Sequence, residues 1–241
     1  MYIDDFKQTY IDNDSQNNIK QQIRLNFIRK VYGILSIQLL ITTIFTLISC
    51  VSTSMQQFYL AHSGLFFIMI IIEITISIIL TCCTSYGRQV PQNYILLLLF
   101  TIAESYIVGF ICAFTNGRVV LMAAFMTFCM CVAITIYAIT TKTDFTLKGG
   151  LLFICGCGFM LLCFFGLFTN NSFFHCLLSA IGVCLFGFYL VYDTQLIIGN
   201  KSEIIEEEDY IYGAFMLYLD IINIFLQLLE LLRILMDNNG N

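Results

Sequence analysis

Residues 64–83 read GLFFIMIIIEITISIILTCC, an apolar run carrying a single ionisable side chain, Glu73. The hydrocarbon core of a bilayer is about 30 Å thick and takes about 20 apolar residues of α-helix. This stretch therefore reads as a membrane span. Working outward, comparable segments recur at 31–52, 94–114, 119–139, 149–168, 175–198 and 211–235. Most of the connections between them are long enough only for turns. Across the whole chain 59% of residues are hydrophobic, only 11% are charged and the mean hydropathy is +0.86, which excludes a water-soluble domain. The expectation is an all-α membrane protein of seven helices spanning 31–235, with no room for a sizeable soluble catalytic domain.

Residues 1–30 are rich in Asp, Asn, Gln and Lys and hold no early apolar run, so they read as a flexible tail and not as a signal peptide. Residues 236–241 form a short C-terminal tail. Cytosolic loops retain Lys and Arg. With the N-terminus inside, nine of the eleven basic residues fall on the cytosolic side, leaving Arg118 and Arg233 outside. The seventh crossing is the weakest, because Asp220 and Glu230 lower its hydropathy. Pro91 lies in a loop, so no helix needs a proline kink. The net charge of −5 comes mainly from the tail and from Glu203 to Asp209. No basic patch or phosphate-cradling glycine loop is present, so the lipid bilayer is the expected partner and nucleic acid is not.

An ionisable group at membrane depth costs several kcal/mol and calls for a partner or a purpose. Five qualify: Glu73, Glu104, Asp193, Asp220 and Glu230. Counting from the helix ends at 1.5 Å per residue puts Asp193 and Asp220 at depths of roughly 8 and 14 Å from the same side. Antiparallel neighbours joined by a short loop bring them together, and two carboxylates at that range share a proton. A divalent cation can replace that proton, since oxygen-rich carboxylate sites suit Ca²⁺. The pair is thus the candidate pH sensor and Ca²⁺ contact. Packing hydrogen bonds are its plainer role. For Glu230, an (i, i+3) ion pair with Arg233 suffices.

The cysteines all lie in apolar segments and read as small membrane-compatible filler, because Cys129/Cys131 and Cys155/Cys157 point to nearly opposite helix faces. His62 and His175 have no second histidine at ligand spacing. No cofactor is expected.

Two stretches hold the aspartates: GFYLVYDTQLIIG at 187–199 and DYIYGAFMLYLDIINIFLQLL at 209–229. With RKVYGILSIQLLIT at 29–42, PQNYILLLLFTIAESYIVG at 91–109 and TDFTLKGG at 143–150, they resemble the Bax inhibitor and lifeguard group of membrane proteins. The resemblance implies a bundle with the last helix central, and a pH-sensitive calcium leak in endoplasmic reticulum or Golgi membranes with an anti-apoptotic role. It carries the family's aspartate pair onto Asp193 and Asp220. It also gives Glu73 and Arg88 a place as pore or latch partners, beside Glu104. Cell-death regulatory proteins are the implied protein partners.

Two competing readings differ in kind. An intramembrane aspartyl protease would also place a Tyr-Asp on one helix, here Tyr192–Asp193, and an aspartate on the next. LYL stands before Asp220 where such enzymes carry Gly-x-Gly, so an enzyme is not expected. A non-conducting scaffold for survival proteins is the other reading. A seven-helix receptor is disfavoured by its opposite tail orientation.

Overall fold

The computed structural model describes residues 2–82, 88–199 and 205–239, with side chains described within 18–237 of that range. Every regular element among them is helical: α1 (Tyr2–Val51), α2 (Thr53–Ala61), α3 (Gly64–Cys82), α4 (Gln92–Ala113), α5 (Gly117–Thr140), a 3₁₀ turn (Thr146–Lys148), α6 (Gly149–Gly166), α7 (Ser172–Ile198) and α8 (Tyr210–Asn239). All but α2 are long and apolar enough to cross a membrane, which gives seven spans. The weakest segment by hydropathy, α8, is one uninterrupted helix of 30 residues, about 45 Å at 1.5 Å per residue. Its acids do not break it: Asp220 turns inward, and Glu230 pairs with Arg233.

The bundle is organised around α8, which packs against α7, α5, α1 and α4. Ile211, Ala214, Phe215, Leu217, Tyr218, Ile224, Leu228 and Leu229 are all buried, and no residue from 211 to 232 is exposed on any side of the helix. A helix apolar all round belongs in the middle of a bundle. The last helix is therefore central, as the resemblance implies. At the other extreme, α6 buries only Phe159 and Gly166 and exposes Phe153, Ile154 and Leu161. Such exposure is cheap in a bilayer, where lipid tails are as apolar as leucine.

Three local features differ from expectation. The first helix runs through 18–30, a stretch expected to be a flexible tail, and Phe27 is buried in the core. The last helix continues to Asn239, past the boundary at 235. The connection after the first span holds a short helix, α2, started by the Ser52 side chain accepting from Met55 N–H. It carries the fully buried Tyr59, whose hydroxyl lies 2.7 Å from Ser49 Oγ. Pro91 stands at the N-terminal boundary of α4, the position where a missing N–H costs least.

The reason α1 extends is Arg24. A helix leaves its last carbonyls without intrahelical donors, and at the end of α7 the Arg24 guanidinium supplies them. Nη2 donates to Leu196 O at 2.5 Å, Nη1 to Ile205 O at 2.6 Å and Nε to Ile198 O at 3.4 Å. Gly199 closes the helix at φ 74°, the left-handed region that favours glycine. Its lack of a side chain also makes room, since a Cβ there would stand 2.6 Å from Arg24 Nε. Charged hydrogen bonds are worth about 1.5–3 kcal/mol, so Arg24→Ala is expected to destabilise the detergent-solubilised protein by about 2–4 kcal/mol. Gly199→Ala, which adds backbone strain to the same clash, should cost about 1–2 kcal/mol or more. Thermal unfolding followed by cysteine labelling measures both; unchanged midpoints would show that α1 does not brace α7.

Candidate functional site: a carboxyl pair between the last two transmembrane helices

Asp193 of α7 and Asp220 of α8 are each 6% exposed and their carboxyl groups are in hydrogen-bonding contact. Two carboxyls joined by a hydrogen bond must hold at least one proton between them, since a carboxylate is acceptor-only. The second oxygen of Asp220, Oδ2, is buried without a partner. No basic side chain is paired with either aspartate among the described residues. Tyr189 of α7, Tyr212 of α8 and Cys131 of α5 stand within electrostatic range. A paired acid in such surroundings can take or release a proton, or exchange it for a cation.

The rest of the 187–199 motif positions Asp193. Tyr189 O–H donates to Leu152 O at 2.7 Å, and its ring lies against Gly156 of α6, where a Cβ would meet the hydroxyl at 2.5 Å. One turn on, Tyr192 packs against Gly149 in the same way. Glycine is required at both places by close approach. Gln195 faces the connection between α5 and α6. Its Oε1 accepts from Phe145 N–H at 2.9 Å, and its Nε2 donates to Thr143 O at 3.1 Å and Ala138 O at 3.3 Å. The side chains of Tyr189, Tyr192 and Gln195 thus fix α7 against α6 and α5 on both sides of Asp193. Sequence reasoning assigned no role to Gln195 or Arg24; an amide one half-turn from a buried acid was the available signal for the first.

The other expected site residues fall elsewhere. Glu104 of α4 is 5% exposed and close enough to the half-buried Glu73 of α3 for the two to repel. Arg88 does not reach the aspartates. It forks onto Asp209 at the start of α8, Nε to Oδ1 and Nη2 to Oδ2, both at 2.7 Å, and its Nη2 also donates to Glu206 Oε2 at 2.7 Å. The Asp209 hydrogen bonds hold the guanidinium charged well above its ordinary range. Arg88 therefore ties the α3–α4 connection to the acidic run leading into α8, because those carboxylates lie at the bundle's end and the aspartates lie within it. Glu230 pairs with Arg233 at 2.7 Å, the local ion pair its spacing implied. His62 and His175 bond backbone carbonyls of their own neighbourhoods and lie against Phe58 and Phe174, and no group of three His, Cys, Asp or Glu side chains able to hold a metal occurs among the described residues.

Seven apolar spans, the last of them central, with a carboxyl pair between that helix and α7, define a polytopic helical membrane protein with an acid centre inside the bundle. The family model described as Inhibitor of apoptosis-promoting Bax1 matches residues 24–239, and the chain belongs to this Bax inhibitor and lifeguard family. Protein lifeguard 3 of Homo sapiens is 36% identical over 223 residues, covering 88% of this chain and 70% of that protein. Protein LIFEGUARD 2 of Arabidopsis thaliana is 35% identical over 216 residues, covering 88% and 89%. Protein lifeguard 3 of Mus musculus is 32% identical over 218 residues, covering 88% and 70%.

The Arg88 clamp makes its own prediction. Exposed ion pairs are individually weak and are screened by salt. Arg88→Ala should raise amide hydrogen exchange over 205–209 by about two- to fivefold at low ionic strength. In high salt the native protein should approach the variant. Equal exchange at low salt would show that the clamp does not hold the connection.

Proposed function

We propose that this protein is a pH-sensitive calcium leak path of an intracellular membrane, with a cytoprotective role, gated by Asp193 and Asp220. One observation carries the reading: two buried carboxyls touch at the seam between the central helix and α7, with no described cation to neutralise them. With a shared proton the contact is a hydrogen bond that closes the seam. Without it, two like charges face each other in a low-dielectric interior, where repulsion is strong. The charged pair must then separate or take up a cation, and either event alters a path between α7 and α8. Ca²⁺ is a suitable cargo because it binds carboxylate oxygen and fills the rest of its shell with carbonyls or water. Membership of a family named for inhibiting apoptosis-promoting Bax1 supports the cytoprotective part.

The endoplasmic reticulum or Golgi, and an N-terminus in the cytosol, complete this reading. The orientation rests on the bias of basic residues towards the Arg24 and Arg88 end. Cell-death regulatory proteins are its proposed partners. No catalytic role is assigned to the pair.

The test is Ca²⁺ flux into dye-loaded proteoliposomes across a pH series, for the native chain, Asp193→Asn and Asp220→Asn. Native protein is expected to conduct in a pH-dependent manner. Either substitution should abolish that dependence or shift its midpoint by at least about one pH unit, since it removes a proton-sharing partner. Identical profiles in all three would sink the gating role. Native protein conducting no better than empty liposomes would favour a non-conducting scaffold. Thermal stability gives a second readout: it should fall as pH rises in the native protein, as the shared proton is lost. In Asp220→Asn the fall should be smaller, because the amide still donates to Asp193 and carries no charge.

A further inference from the structure

We propose that the face of α8 opposite Asp220 carries a second ligand site: a hydrated polar file between α1, α4 and α8 that binds water and holds an exchangeable proton on Glu104. The file begins on α1, where Gln38, Thr42, Thr46 and Ser49 are all buried. Their spacing of four, four and three places them on one helix face. From Gln38 to Ser49 the stripe is about 17 Å long at 1.5 Å per residue, more than half of a bilayer's apolar thickness of about 30 Å. A polar stripe of that length is not packing filler in a hydrocarbon setting.

The partners come from two other helices. Gln38 Nε2 donates to Thr101 Oγ1 of α4 at 3.0 Å. Thr42 Oγ1 lies 2.9 Å from Ser105 Oγ of α4 and 2.7 Å from Tyr218 O–H of α8. Ser49 meets Tyr59 against Gly109, where a Cβ would stand 2.7 Å from Ser49 Oγ. Tyr218 and Asp220 are two residues apart, about 200° round the helix, so the file and the aspartate pair lie on opposite sides of α8.

The file is flanked by buried polar atoms that have no protein partner. Thr42 is placed to donate to Gln38 O at 3.0 Å and Ser105 to Thr101 O at 2.6 Å. With Tyr218 donating to Thr42, Thr42 to Ser105 and Ser105 to Thr101 O, these three hydroxyls can also satisfy one another in a single chain. Further along, Gln38 Oε1, Thr46 Oγ1 and Tyr106 O–H are buried with no partner at all. Gln38 is only 3% exposed, and its amide already belongs to the file through Thr101. Unsatisfied buried polar groups each cost about 1–3 kcal/mol, and ordered water relieves that cost where several such groups converge.

Glu104 supplies the ionisable member. It lies three residues after Thr101 and next to Ser105, and is 5% exposed. The groups that face it are Glu73 from α3 and Tyr218 from α8, both within electrostatic range. The buried polar residues of α1, Gln38, Thr42 and Thr46, are uncharged. On its own helix the titratable neighbour is Tyr106, which packs with Tyr59 of α2. No Lys or Arg occurs in 31–87 or 89–117, so neither α3, α4 nor the inner part of α1 offers a cation. A carboxyl so placed needs a proton, and the hydroxyl file is the polar route by which water can deliver or remove it. This site stands independently of the calcium reading, because it uses neither aspartate.

Infrared difference spectroscopy of the protein in nanodiscs, stepping between acidic and alkaline buffers, tests it. A protonated-carboxyl C=O band should be lost in Glu104→Gln, be retained in Asp220→Asn, and shift in ²H₂O because the proton exchanges through the file. Thr42→Val should move the band without removing it. Should Glu104→Gln fail to fold, the Thr42→Val shift carries the same decision. A pH-difference band unaffected by Glu104→Gln would overturn the proposal. So would a Glu104 band insensitive to ²H₂O, which would mean a dry carboxyl, or one indifferent to Thr42→Val, which would mean a carboxyl separate from the file. Loss of Ca²⁺ flux with the band intact would overturn only the leak.

Discussion

A helix enclosed by four others has no side that faces water or lipid, and α8 occupies that place. Every polar group it carries must be answered by a neighbour, because the surroundings offer no solvent to do so. Asp220 is answered by Asp193, Tyr218 by Thr42, and Asn223 by its own helix, Nδ2 donating to Leu219 O at 2.8 Å. The neighbouring helices are consequently selected for more than apolar fit. At Asp220 and Tyr218, α7 and α1 each contribute a polar residue at the matching depth.

Enclosure also explains why the two acid centres do not merge. The 200° between Tyr218 and Asp220 puts one against α1 and α4 and the other against α7 and α5. Leu217, buried at 1% exposure, and Leu219, packed against the core, fill the sides between them. Charge on one side is therefore felt on the other only through α8 itself, by a small rotation or shift of the helix. Arg88 and Arg24 act at the end of the bundle where such a movement would be resisted. One grips Asp209 at the first turn of α8, and the other closes the last turn of α7. Together they bracket the short connection that joins the two halves of the aspartate pair.

Much of this was legible in the sequence. Seven apolar runs of about 20 residues gave seven spans, and the cost of burying charge singled out Asp193 and Asp220 before any packing was known. Boundaries were less legible. The polarity of residues 18–30 reads as a tail, but Arg24 is polar because it serves carbonyls 170 residues away, a contact no local pattern reports. The partners of Arg88 were illegible for a related reason: its charge suits either a buried acid or the exposed run at 206–209, and only the fold shows that Asp209 and Glu206 are in reach. The polar stripe of α1 was readable in principle from its spacing. It was hidden because Thr and Ser barely lower hydropathy, so a search for charged intruders passes over them.

The short polar residues matter most where charge is absent. A bilayer-spanning helix can bury a threonine cheaply by donating to its own carbonyl four residues back, as Thr42, Thr101 and Thr127 do. That donation spends the hydroxyl's only proton and leaves its lone pairs facing the neighbouring helix. A stripe of such residues is thus a surface of acceptors. Between α1 and α4 the protons come from Gln38 Nε2, which donates to Thr101, from the paired hydroxyls of Thr42 and Ser105, and from Tyr218 of α8. What stays unanswered there is Gln38 Oε1, Thr46 Oγ1 and Tyr106 O–H, buried without a protein partner on α1 and α4, and α4 also holds the buried Glu104.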